Sequence, residues 1–284
     1  MKISTWNING VRARESDVYE FLREEQPDVV CLQEVKASAH QVPASLIGHE
    51  GYWSYWHGNK GYSGVAILVR RASCPVRPVF SHPAFDFEQR LVVVELGSLR
   101  LASIYVPNGG KELAPKLTFL KELERWAGET LRSGNELVLC GDLNVTRTPS
   151  DVHASERDPS LLGQTPQERA LFEKLLAHQL TDLGRHFAPH DESLFTWWAP
   201  WREHRERNIG WRIDYVLTSP TMSALATSCT ARREFGSSDH GPVSATFERS
   251  LFDPSSVKPG VEQVVSEPEA AAPGPQLDLF GNKV

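Results

Sequence analysis

Residues 135–144, NELVLCGDLN, constrain this chain more than any other stretch. Leu137, Val138, Leu139 and Cys140 form an unbroken apolar run, which reads as a strand buried on both faces. Gly141 then lets the backbone turn, so that Asp142 and Asn144 emerge at the strand end, where active sites sit. The blander reading is a local turn, since Asp and Asn both hydrogen-bond to their own backbone. Other parts of the chain have to decide between the two.

With 284 residues, 40% of them apolar, the chain can bury a full core in one large domain or two small ones. It has no apolar run long enough to span a membrane. Its start, MKISTWNING, is already strand-like and lacks the apolar region of an export signal. The cysteines at 31, 74, 140 and 229 show no CxxC spacing, and Cys31 and Cys140 sit inside apolar runs as small hydrophobes. These features describe a reduced, cytoplasmic protein. A formal charge of -6 argues against a wide basic face for gripping nucleic acid. Residues 250–284 hold five acids and two bases, which leaves 28 bases and 31 acids in the first 249. That balance is compatible with a local basic groove beside metal-binding carboxylates.

Residues 2–8, KISTWNI, alternate as a strand and stop at Asn7, Ile8, Asn9 and Gly10. Residues 16–25 have helical spacing, and Gln26-Pro27-Asp28 ends that helix before a second buried strand, DVVCLQE, which delivers Glu34. Strands are predicted at 53–57, 64–70, 90–96 and 99–106, the last running into Pro107-Asn108-Gly109-Gly110. A long helix spans 112–132 ahead of the 135–144 strand. Thr165-Pro166-Gln167-Glu168 is a capping box with Pro at the first helical position, opening a helix that buries Leu171, Phe172, Leu175 and Leu176. Strands at 211–218 and 242–248 follow. Many strands and few helices, some strands joined directly as hairpins, give mixed sheets in an α+β arrangement. Beyond 250 the composition turns to Pro, Ala, Ser and Glu, which reads as a disordered tail, 250–284, after one domain at 1–249.

Polar groups recur at the ends of these apolar strands: Asn7 and Asn9, Glu34, Tyr105 with Asn108, Asp142 with Asn144, and Asp214 with Asp239 and His240. Such groups are costly to bury unless paired or metal-bound, so their recurrence at one position is the signal. Oxygen donors without sulfur point to a hard cation, Mg²⁺ or Mn²⁺. A site of this kind suits phosphoryl chemistry, with the cation neutralising phosphate charge while a carboxylate or His positions the attacking water.

Six segments, WNING (6–10), LQEVK (32–36), IYVPNG (104–109), GDLN (141–144), GWRIDY (210–215) and SDHGP (238–242), together resemble the exonuclease III and apurinic/apyrimidinic endonuclease family. They follow the family's order and cover residues 1–249. The resemblance implies a DNase I-like, four-layer sandwich, two mixed sheets face to face with helices outside and the site at one edge. It implies Glu34 as principal Mg²⁺ ligand and Asn7 as a neighbouring ligand or orienting group. Asp142 is similar to the acid that activates water and handles the leaving-group proton, and Asn144 to a donor that stabilises the pentacoordinate state; both also stand among the metal-binding positions. His240 would contact the phosphate or act as base, its ring held by Asp214, and Asp239 resembles a ligand of a second metal position. Tyr105 would donate to the phosphate or, with a lowered pKa, help activate water.

Substrate preference lies in the loops. Residues 195–215 interleave Trp197, Trp198, Trp201 and Trp211 with Arg202, Arg205, Arg207 and Arg212, a composition that suits a nucleic-acid surface. By resemblance, Trp197, Trp211 and Ile213 wall a pocket for an extruded abasic sugar, while Arg90, Asn108, Lys111 and Arg147 are candidates for backbone contacts. The chain departs from some members at Asn9, which stands where they have Asp; this bears on a second metal position. The implied activity is Mg²⁺-dependent incision 5′ to abasic sites in double-stranded DNA, with 3′ to 5′ trimming, by a monomer. Rival readings are a phosphodiesterase of the same superfamily acting on RNA, inositol phosphates or lipids, and a catalytically silent DNA-binding scaffold. The Trp/Arg loop opposes the first, and intact Glu34, Asp142, Asn144, Asp214 and His240 oppose the second. In the tail, Gln276, Leu277, Asp278, Leu279 and Phe280 resemble the short motif by which bacterial repair proteins dock on the polymerase sliding clamp. Two large apolar residues in such a tail have no core to enter.

Overall fold

Alternation along the strands decides the layering. The computed structural model describes residues 1–49 and 51–263. In chain order its first half runs β1 (Lys2–Asn7), α1 (Glu15–Glu25), β2 (Val29–Gln33), α2 (Ala44–Ile47), β3 (Tyr52–Asn59), β4 (Tyr62–Arg70), β5 (Val79–Ser81), β6 (Leu91–Leu96) and β7 (Leu99–Tyr105). The second half runs α3 (Leu113–Arg132), β8 (Glu136–Asp142), α4 (Pro166–Leu176), β9 (Thr181–Asp182), α5 (Leu183–Phe187), β10 (Asp214–Thr218), α6 (Pro220–Ser223), β11 (Ala226–Ala231) and β12 (Val243–Phe247).

Two six-stranded sheets result, ordered β11-β12-β1-β2-β4-β3 and β5-β6-β7-β8-β10-β9. Each has one parallel pair at its centre, β1–β2 and β7–β8, and is otherwise antiparallel. A parallel pair needs a crossover, which α1 and α3 supply. In β2, Val29 and Cys31 point between the sheets while Val30 and Leu32 point outward; in β8, Val138 and Cys140 point inward while Leu137 and Leu139 point outward. The inner residues form one core between the sheets. The outer ones are covered by α1 on one side and by α3 and α4 on the other, giving four layers as expected. α4 opens with the expected capping box, Thr165 and Glu168 each bonding the other's backbone.

Register brings the strand ends together. Asn7 pairs with Gln33, Tyr105 with Asp142, and Asp142 with Asp214, so the polar ends of β1, β2, β7 and β8 and the start of β10 share one edge of the sandwich. Three strands were not expected. β5 and β9 are too short to show a period, and β11, ATSCTA, alternates small residues that carry little hydrophobic contrast.

The expectation that packing stops near 250 is corrected. Leu251, Phe252 and Val257 are buried against the inter-sheet core. Further on, the Gly260 N–H donates to the Arg77 carbonyl, and the Gln263 side chain donates to the Trp56 carbonyl and accepts from its N–H. Local Pro- and Ser-rich composition hid three apolar residues, which is enough to hold a segment of this length. Residues 276–280, with the clamp-docking expectation, lie outside the described residues. Among those described, no helix is long and apolar enough to cross a membrane, and all four cysteines are free and buried.

Candidate active site

Buried strands can end in polar groups only if those groups satisfy one another, and here they do so across the two sheets. Asn7 Nδ2, at the end of β1, donates at 3.0 Å both to Glu34 Oε1 and to Asp142 Oδ2 at the end of β8. Its Oδ1 accepts from the Asn9 N–H. Asn7 therefore orients two carboxylates. Asn144 donates its backbone N–H to Asp142 Oδ1 at 2.8 Å, and its two amide hydrogens go to the Val106 carbonyl and Asp142 Oδ2. One amide hydrogen thus holds the Val106 carbonyl and the other Asp142, so neither is free for the pentacoordinate phosphorus centre to which Asn144 was expected to donate.

The backbone supports this arrangement. Asn9, Glu34, Lys36 and Asn144 all have φ between 46 and 51°, the left-handed region, which non-glycine residues adopt at a cost that the surroundings must offset. Gly141, at φ 149°, lies so close to the Ile104 carbonyl that an added Cβ would sit 2.0 Å from its oxygen. Only glycine fits at this place in β8, directly before Asp142.

Beneath the site the sandwich interior is polar. Gln33 accepts from Thr5 and donates to Ser103 Oγ across the sheets at 3.0 Å, and Ser103 donates to the Leu32 carbonyl. A second support missed in the sequence is the fully buried pair Lys116–Glu168. Lys116 Nζ also donates to the Asn144 and Asn108 carbonyls, and Glu168 accepts from the Gly163 N–H. Lysine on an apolar helix face was the available signal, since a buried ammonium needs a partner.

His240 Nδ1 lies 2.9 Å from Asp214 Oδ2, and its Nε2 is 3.9 Å from Asp142 Oδ2. Burial alone would lower the His240 pKa, but the Asp214 charge and hydrogen bond, with Asp142 and Asp239, raise it to about 10. Asp142 is pushed up to about 7, first by burial and then by Asp214 and Glu34, against the opposing pull of His240. Burial also raises Glu34, yet hydrogen bonds from Asn7 and Lys36 hold it below the ordinary carboxylate range. Tyr105 is raised by burial and by the Glu34 and Asp142 charges, which corrects the idea of a lowered phenol. It stays protonated, as a donor.

The donor set fits a divalent cation. Ligand atoms of Glu34, Asp142 and His240 lie within 4.8 Å of one another. The repulsion that lifts Asp142 is what a cation relieves, and among the described residues the buried Asp214 Oδ1 has no hydrogen-bond partner. Asp239 lines the same cleft but is held by Asn9 Nδ2 and Trp197 Nε1, and Asn9 in turn accepts from Lys36.

The cleft, about 380 Å³, joins this cluster to Trp197, Trp211, Ile213 and Asn108, all expected, and to Leu162, which was not. Trp197 and Trp211 meet edge to face at 5.6 Å, and Trp211 Nε1 donates to Glu156. The rest of the Trp/Arg loop reads differently in three dimensions. Trp198 is core, Arg205 holds the carbonyls of Arg233, Phe235 and Ser238, and Arg212 is buried between Asp151 and Asp182. Trp201, Arg202 and Arg207 are exposed. Of the backbone-contact candidates, Arg90 is corrected: it is buried, bound to Glu88 and Tyr62, and stacked 4.7 Å from the Tyr105 ring. Arg147 is paired with Glu173 beside another depression. Lys111 is exposed, 5.4 Å from the Tyr62 ring. An arginine looks alike in sequence whether it faces phosphate or a buried carboxylate.

Residues 4–240 match the Endonuclease/Exonuclease/phosphatase family. The chain is 32% identical over 248 residues to the exodeoxyribonuclease of Bacillus subtilis, covering 86% of this chain and 98% of that protein. It is 31% identical over 252 residues to recombination repair protein 1 of Drosophila melanogaster, of which it spans 37%. An AP endonuclease of Archaeoglobus fulgidus superposes with a TM-score of 0.80 at 28% identity, and the 3′–5′ exonuclease NExo of Neisseria meningitidis with 0.81 at 29%; each covers 88% of this chain and 100% of the other. On sequence, fold and site together, the chain belongs to the endonuclease/exonuclease/phosphatase family and is a hydrolase.

Proposed function

We propose that this protein is a Mg²⁺-dependent DNA repair nuclease that hydrolyses the phosphodiester 5′ to an abasic site, leaving a 3′ hydroxyl, and trims 3′ ends. One observation carries the reading: a single cleft joins the Glu34, Asp142 and His240 cluster to a wall of Trp197, Trp211 and Leu162. Rings beside a phosphate site suit sugars and bases, and a baseless nucleotide costs least to extrude. The names of the relatives, exodeoxyribonuclease and AP endonuclease, point the same way.

Glu34 and Asp142 would hold the cation with His240 beside them and Asp239 within the same cleft. When bound, a hard ion such as Mg²⁺ or Mn²⁺ neutralises phosphate charge. Asp142 accepts the proton of the attacking water. His240, kept protonated by Asp214, donates to a phosphate oxygen, as does the Tyr105 phenol. Asn7 and Asn144 fix the Asp142 carboxylate so that it need not reorganise.

The test offers the full-length protein a duplex with one tetrahydrofuran abasic analogue beside an undamaged recessed 3′ end, with and without EDTA. Incision 5′ to the analogue with slower trimming, both abolished by EDTA, is the expected pattern. Glu34→Gln should slow both by about 10²-fold or more at low Mg²⁺ while duplex binding persists. Cleavage that survives EDTA, or turnover of RNA or inositol phosphates in place of DNA, overturns the reading. For the tail, the motif at Gln276–Phe280 supports docking of Leu279 and Phe280 on a sliding clamp. A peptide of residues 272–284 with no measurable affinity for the source organism's clamp would end that proposal.

A further inference from the structure

The edges of the two sheets meet at β3 and β5, on the side of the sandwich away from β9 and β11. Tyr55 of β3 stacks on Phe80 of β5, with ring centroids 5.4 Å apart and planes within 13°. Two residues further along each segment, on the same face, His57 stacks on His82 at 4.5 Å and 8°. Asp86 completes the group. Its Oδ2 lies 2.7 Å from His57 Nε2, while its Oδ1 accepts the backbone N–H groups of Arg90 at 2.8 Å and Leu91 at 3.0 Å. One ring nitrogen of each histidine and one Asp86 oxygen lie within 4.8 Å of one another. The His57 and Asp86 side chains are 16% and 5% exposed, and His82 is open to solvent.

We propose that His57, His82 and Asp86 form a second cation site, separate from the nuclease centre, for an imidazole-preferring divalent ion of the Zn²⁺ type. Two nitrogens and one oxygen are the donor set that borderline ions take and that Mg²⁺ avoids. The carboxylate is already oriented: two backbone donors fix one oxygen and leave the other facing the rings, the kind of outer support that metal ligands receive. The exposed flank of His82 leaves a fourth position to water. A hydrogen-bonded His57–Asp86 pair alone would account for the 2.7 Å contact. The parallel imidazoles continue the Tyr55–Phe80 stack, and the exposed His82 ring turns out of that stack for both histidines to face one ion. An ion held here ties β3 of one sheet to the loop that follows β5 of the other, so its effect is to clip the two sheet edges together.

The experiment uses full-length protein stripped with a chelator and returned to excess Mg²⁺, which occupies the nuclease centre. Zn²⁺ is titrated by calorimetry and Co²⁺ by visible absorption. One equivalent of Zn²⁺ should bind, Co²⁺ should give the bands of a four-coordinate nitrogen/oxygen site, and the melting temperature should rise. His82→Gln, an exposed substitution outside the cleft, should keep Mg²⁺-supported nuclease activity, lose the Co²⁺ bands and weaken Zn²⁺ about tenfold or more. Asp86→Asn should weaken Zn²⁺ as well, with its melting curve in chelator reporting any separate damage to the loop. No Zn²⁺ equivalent in the presence of Mg²⁺, or equal affinity in His82→Gln, overturns the proposal, the latter placing the ion in the nuclease centre.

Discussion

Asp142 is asked to be an anion inside a protein interior that already holds Glu34 and Asp214, and its pKa near 7 records the conflict. A bound cation would relieve the conflict and leave Asp142 ionised for the proton transfer proposed for it. His240 records the opposite balance. Its pKa rises from 6.5 to about 10 because the charges of Asp214 and its neighbours outweigh burial. A group raised in this way contributes stability that is complete below pH 6.5 and lost as pH climbs through 10. Thermal scans in chelator should therefore show a falling melting temperature across that window, and His240→Gln should flatten the fall; an unchanged slope would show that His240 does not carry this charge. The pairing also predicts kinetics. His240→Ala should cost about 10²-fold or more and Asp214→Ala less, with the double variant clearly below their product, because both remove one unit. Full multiplication in steady-state rates would refute the pairing. Both partners were legible as residues in sequence, as was their order along the chain. What could not be read was the direction of each hydrogen bond, and with it whether Asn144 served phosphate or Asp142.

Strands were legible wherever apolar residues alternate or run unbroken, since burial on one face or two leaves that imprint. β2 and β8 are examples, and α4 announced itself through its capping box. Loops left no such imprint, and the Trp/Arg loop shows why: one composition serves a cleft wall at Trp197 and Trp211, a core at Trp198 and an ion-pair network at Arg212. These roles separate by measurement. Trp211→Ala should reduce abasic-site incision roughly tenfold more than it reduces trimming of undamaged 3′ ends, because on the proposed function only an extruded sugar would touch that wall. Equal losses on both substrates would make Trp211 a folding residue. Arg212→Ala leaves Asp182 without its buried cation and Asp151 with Arg185 alone, and should cost about 3 to 5 kcal/mol in urea unfolding. Exposed Arg207→Ala should stay within about 0.5 kcal/mol. Similar values for the two would remove the network from the account.

At the scale of the whole molecule, two sheets of the same plan, each with a central parallel pair and a helical crossover, lay their polar strand ends on one rim. The site is thus shared by both halves, and Asn7 bridges them at the rim as Gln33 does beneath it. The far side of the molecule matters for a different reason. β3 is the last strand of its sheet, and its outward backbone groups at Trp56 are taken by the Gln263 side chain. A chain cut at 250, where the composition changes, loses that cover together with Leu251, Phe252 and Val257. Light scattering should find a 1–250 fragment self-associating and melting below the full chain, whereas a 1–263 fragment should match the full chain in both respects; two fragments that behave alike would dismiss the idea. An uncovered outer strand is a template on which a second copy can build, so the amide of Gln263 acts as a plug, a one-residue imitation of a neighbouring strand that ends the sheet where it must stop growing.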